Sequence, residues 1–154
     1  MKNELDKVDK KILDELQKQG RLSNVELSKR VHLSPSPCLD RVKRLEKEGY
    51  IKHYCAVLNK EKLGYDMVAY VTVTLDKTTY NSFKQFKNDI ILVQEVIECD
   101  MVAGGFDYLL KLMIKNMKHY RNTLGVISEI PSVSQTHTYM VIENIKENAS
   151  IQIL

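Results

Sequence analysis

The chain has 154 residues, 44% hydrophobic and 28% charged, with a net charge of +3. That length suits one ordinary domain or two small ones, and its longest apolar runs are far too short to span a membrane. The opening MKNELDKVDKK mixes both signs of charge without an apolar export core. Three well-separated cysteines, Cys38, Cys55 and Cys99, argue against a disulfide framework and for a reducing cytoplasm. The charge is uneven: residues 1–60 carry 14 Lys+Arg against 9 Asp+Glu, and residues 61–154 carry 9 against 11. A basic first part points to a polyanion partner for that part alone.

From Leu5 to Lys18, Leu5, Val8, Ile12, Leu13 and Leu16 recur at helical spacing. Asp6 and Asp9 lie near the start, where they favour the positive end of the helix dipole. Ser23 and Glu26 form a capping box that opens a short helix through Val31, with Val25, Leu27 and Val31 inward. His32-Leu33 is the turn. SPSPCLDRVKRLEKEG, residues 34–49, then reads as a capped helix with Pro35 and Pro37 in its first turn and Gly49 just past its end.

On that helix Cys38, Leu39, Val42 and Leu45 share an arc that should face a core. The opposite arc holds Ser36, Pro37, Asp40, Arg41, Lys43, Arg44 and Lys47: small groups at the tip and cations behind them. A helix that reads a DNA major groove needs that division, and an ordinary surface helix with a solvated basic face would match it too. The run YIKHYCAVLN alternates like a strand, so the three helices are expected to be a winged helix-turn-helix.

The region 61–65, carrying Gly64, reads as a hinge. After it come a strand over 66–75 and a helix capped by Thr78 or Thr79, with Tyr80, Phe83, Phe86 and Ile90 buried. A strand over 93–102, a tight Ala103-Gly104-Gly105 turn and a strand over 106–115 follow. A helix from Asn116 to Ile130 and a strand over 133–142 complete the chain. The expected fold is therefore α+β: a winged helix-turn-helix domain at 1–60, the hinge at 61–65, and a ferredoxin-like βαββαβ domain at 66–154. Such a sheet leaves one face bare, and its Val, Tyr, Met and Thr side chains call for a second copy.

No metal-ligand spacing, dinucleotide or phosphate-loop fingerprint, or nucleophile elbow is present, so neither a catalytic residue nor a cofactor is expected. Asp107 follows the glycine turn, beside backbone N–H groups. It either tightens the hairpin or accepts the ammonium of an amino acid whose carboxylate those amides receive, and Thr136 and Thr138 could line the same region.

The stretches SNVELSKRVHLSPSPCLDRVKRLEKEGYI, VAGGFDYLLK and THTYMVIE resemble the Lrp/AsnC (feast/famine) transcription regulators, over about Leu5 to Glu147. The resemblance implies a sequence-specific regulator of double-stranded DNA, cytoplasmic and nucleoid-associated. It would form dimers that assemble further, into octameric rings that wrap DNA, with an amino-acid effector (leucine or another) bound between dimers. By position it implies DNA contacts from Ser34, Ser36, Pro37, Arg41, Lys43 and Arg44. Lys29, Arg30 and Lys52 would meet phosphates, and Cys38 would be packing support. The effector loop falls on Gly104, Gly105, Phe106, Asp107 and Tyr108, with Thr136 and Thr138 nearby, which favours the ligand role for Asp107. Gly105 stands where a close member has an acidic residue, so the effector's identity stays open. Two other readings are an architectural DNA-wrapping protein and a haem-pathway decarboxylase of similar layout. The cationic set Arg41, Lys43, Arg44 and Lys47 speaks against the decarboxylase.

Overall fold

Two reciprocal caps start the first two helices. Asp6 accepts from the amides of Val8 and Asp9 while the Asp9 carboxylate accepts from the Asp6 amide, opening α1, Lys7–Lys18. Ser23 and Glu26 do the same for α2, Asn24–Arg30. The computed structural model describes residues 4–147 and 151–153. It divides the chain into two compact units, residues 1–57 with 146–154 and residues 58–145. The sequence grouped 66–154 together, whereas here 146–154 belong with the first unit.

In the first unit, α2 leads through His32, in a left-handed conformation at φ 59°, to α3, Pro35–Lys47. Two prolines in the first turn of α3 cost nothing, because no hydrogen-bond partner exists there for an N–H. The helix stops at Gly49, whose φ of 80° suits glycine, and the amides of Gly49 and Tyr50 close on Glu46 and Leu45. Ile12, Leu13, Leu27, Val31, Cys38 and Leu45 form the core.

Three expectations fail here. Leu39 and Val25 are exposed, because each sits at the edge of its helix's apolar arc and the three-helix core closes without them. Residues 50–58 form no strand: alternation alone does not make one, and no ladder partner pairs with this run among the described residues. The run is held instead by half-buried Ile51 against the core and by the Tyr54 hydroxyl donating to Glu46 at 2.9 Å.

The second unit is a four-stranded antiparallel sheet in the order β2-β3-β1-β4, with β1 Met67–Leu75, β2 Val96–Met101, β3 Tyr108–Ile114 and β4 Val133–Met140. Helices α4, Tyr80–Ile90, and α5, Met117–Ser128, supply Phe86, Ile90 and Ile127 to a core with Val71, Val73, Tyr108, Leu110, Leu112 and Ile114 of the sheet. Tyr80 is exposed, not buried as expected, because it is the first residue of α4 and lies beyond the sheet's reach. The sheet's other face carries Tyr70, Thr72, Met113, His137 and Tyr139, with Lys111 paired to Glu98 at 3.0 Å. No described helix is long and apolar enough to cross a membrane.

Leu45 is fully buried and Leu39 is 39% exposed. Urea unfolding should therefore show Leu45→Ala losing about 3 kcal/mol and Leu39→Ala losing less than about 0.5 kcal/mol. Equal losses would restore the arc expected from sequence.

Candidate DNA interface and effector loop

The outer arc of α3 is not uniform. Arg41 Nη1 donates to Asp6 Oδ2 at 2.6 Å and to Asp9 Oδ1 at 2.8 Å, and Arg44 Nη2 donates to Asp9 Oδ2 at 2.5 Å. Asp9 is only 1% exposed, and two half-buried guanidiniums supply the partners that a buried carboxylate needs. These contacts push both arginines further up. The Asp9 backbone N–H, then Arg41, hold the Asp6 carboxyl below its ordinary range. Arg30 also turns inward, donating to Glu15 at 3.0 Å and Gln19 at 3.2 Å. Three of the cations expected to meet DNA are thus committed to α1.

The rest of the expected set lies open. Ser34, Ser36, Pro37, Lys29, Lys43 and Lys52 are exposed, as is Lys47, and the lysines among them make no ion pair among the described residues. Ser34 caps α3 by backbone position only, with its hydroxyl uncommitted. The α3 tip is held from behind by Asn24 Nδ2, which donates to the Pro35 carbonyl at 2.8 Å. Cys38 is fully buried, as expected of packing. Sequence reasoning missed Asp6, Asp9 and Asn24 as the groups that orient α3. The only signal was a pair of acids at the start of α1.

In the second unit, β2 and β3 are joined by residues 102–107, closed by the Val102 amide on the Asp107 carbonyl at 2.9 Å. The loop is longer than the tight turn expected. Gly104 and Gly105 have no left-handed φ, and a side chain built on either would meet nothing within 4 Å. The amides of residues 103–106 make no hydrogen bond among the described residues.

Asp107 is partly committed: its amide donates to Val73, and its Oδ2 accepts from the Leu75 amide at 2.8 Å, tying the loop to the end of β1. Tyr108 and Thr136 both pair with Val73, so Thr136 shares the row in which β3 leaves the loop, whereas Thr138 pairs with Val71, level with Leu110 and two residues further from it. Thr138 accepts from the Tyr120 hydroxyl at 2.7 Å. Phe106 is half-buried. Tyr108 is 1% exposed and stacked on Phe86 at 4.4 Å, with its hydroxyl buried and unpaired in the protomer. Tyr108 is therefore a core residue whose ring cannot reach an outside ligand. No group of three or more potential metal ligands occurs among the described residues.

Residues 5–52 match the family described as winged helix-turn-helix DNA-binding, and residues 68–151 match the Lrp/AsnC ligand binding domain. The chain is 46% identical to the leucine-responsive regulatory proteins of Klebsiella pneumoniae and Escherichia coli K12, over 97% of its own length and 92% of theirs. A transcriptional regulator of Neisseria meningitidis solved with L-methionine superposes with a TM-score of 0.92 at 35% identity, covering 97% of both chains. An AsnC family transcriptional regulator of Agrobacterium tumefaciens gives 0.91 at 25% identity, over 96% of this chain and 97% of that one.

Three outcomes follow from this geometry. Asp9→Ala leaves Arg44 without its carboxylate and Arg41 with Asp6 alone, and should cost about 2–3 kcal/mol in urea unfolding, less than a fully buried pair because the arginines are a third exposed. Since the Asp6 pKa is depressed on folding, its contribution is present above the ordinary carboxylate value and is lost as pH falls through the lowered one. In Asp6→Ala, melting between pH 5 and pH 3 should be less acid-sensitive than in the parent. Third, Tyr108→Phe removes a buried hydroxyl without a partner among the described residues and should raise stability by about 1 kcal/mol in urea unfolding. A loss of that size would mean that the hydroxyl is used.

Proposed function

The chain belongs to the Lrp/AsnC family and is a DNA-binding transcription regulator with an amino-acid effector, and on that premise we propose how its residues divide the work. The first unit reads DNA, and the second unit, residues 58–145, senses and assembles. Ser34, Ser36 and Pro37 at the open tip of α3 approach base edges. Lys29, Lys43, Lys47 and Lys52 meet phosphates. Arg30, Arg41 and Arg44 act as positioning residues that fix α2 and α3 on α1. One observation carries this division: the guanidiniums spend their donors on side chains of α1 and its two caps, buried Asp9 and half-buried Glu15 among them, while the lysines make no ion pair among the described residues.

The effector is read by the 104–107 loop with Thr136 and Thr138. Neither backbone strain nor crowding inside the protomer requires Gly104 and Gly105, which supports an approach from outside the chain. Uncommitted amides can receive a carboxylate, and the second oxygen of Asp107 can accept an ammonium. The L-methionine in the Neisseria relative and the leucine-responsive relatives favour an apolar amino acid. The bare sheet face, with Tyr70, Met113 and Tyr139, is covered by a second copy, and such dimers assemble further into octameric rings. The protein carries out no catalysis and acts in the cytoplasm at the nucleoid.

Binding to a palindromic, AT-rich duplex should weaken steeply with salt. Lys43→Ala and Lys47→Ala should each lower affinity and reduce the log–log salt slope by about 0.9. Unchanged slopes would remove those lysines from the interface. A thermal-shift screen of the twenty amino acids should give a stabilising hit by linkage. Asp107→Asn retains an acceptor for the Leu75 amide but loses the charge, so it should fold and lose that hit. A hit retained in full would clear Asp107 of the ligand role.

A further inference from the structure

The segment Ile151–Ile153 lies on the first unit, in a groove between α1 and residues 50–54. Gln17 binds its backbone with both ends of one side-chain amide: Nε2 donates to the Ile151 carbonyl at 3.1 Å, and Oε1 accepts from the Ile151 amide at 2.8 Å. This is the pair of bonds that one strand residue offers another, supplied here by a side chain. Two residues on, half-buried Ile153 packs on the helical core beside Leu16 and Ile51. The segment also lines a cavity of about 430 Å³ together with Leu5, Leu13, Leu16, Tyr50 and Ile51.

A site that reads backbone at one position and takes a branched apolar side chain two residues later is built for an extended peptide segment. We propose that Gln17 and this groove are a receptor for the chain's own C-terminal segment, a latch that returns the far end of the chain to the unit carrying α3. The groove's apolar lining, the two-way amide contact and the segment already seated there select this occupant. The latch loads α1, the same helix whose Asp6 and Asp9 hold Arg41 and Arg44. Release of the segment therefore leaves α1 less well anchored and, through it, the recognition helix. The latch rests on the fold of the first unit and not on the effector assignment.

The test is hydrogen–deuterium exchange on the full-length chain. The Ile151 amide should exchange at least about tenfold more slowly than an unstructured amide. Gln17→Ala should remove that protection, while Gln17→Glu, which retains the acceptor for this amide, should restore part of it. Asp107→Asn should leave it unchanged, which separates a failed latch from a failed effector site. Gln17→Ala should also lower affinity for the palindromic duplex about threefold or more. Exchange at Ile151 as fast in the parent as in Gln17→Ala would overturn the proposal. So would protection that vanishes on dilution, which would give the seat to the segment of a second copy.

Discussion

Everything about the first unit depends on one buried carboxylate. Asp9 is buried on α1 and accepts from Arg41 and Arg44 of α3, while its second task is to close the cap of its own helix. A buried charge is tolerated only when its partners are placed accurately, so the pair fixes the rotation of α3 about its axis more tightly than the apolar contacts of Cys38 and Leu45 could.

That constraint sorts the cations of the unit into two kinds. A guanidinium offers several donors in a rigid fork and suits a fixed geometric task, and Arg30, Arg41 and Arg44 all perform one on α1. Lysine is a mobile point charge that can follow a phosphate chain, and Lys29, Lys43, Lys47 and Lys52 are exposed and make no ion pair among the described residues. With the arginines turned inward, Ser34, Ser36 and Pro37 remain as a small, uncluttered tip. In the second unit the 102–107 loop has a comparable economy: Asp107 secures it to β1 with one oxygen, while its glycines and amides stay open.

Much of the fold was legible because it rests on local chemistry. The Ser23–Glu26 cap, the glycine after α3 and the two-residue alternation of β1 and β3 each act within a few residues, and the structure bears each of them out. What sequence could not supply were choices of distant partner. A helical wheel gives the angle of Arg41 and Arg44 but not the acid thirty-odd residues away toward which a long side chain swings. It likewise cannot show that the core closes without Leu39, or that a strand-like run at 50–58 finds no neighbour to pair with. Tyr108 follows the expected effector loop in sequence, but strand alternation turns it into the core, next to Phe86.

The central claim is that the α3 arginines orient the helix and do not neutralise phosphates. The salt dependence of duplex binding in Arg41→Ala and Arg44→Ala tests it most directly. If the arginines position the helix, affinity falls in both variants while the slope of log affinity against log salt stays at the parent value. A slope reduced by about 0.9 for each arginine would mean a lost phosphate contact and would contradict the account.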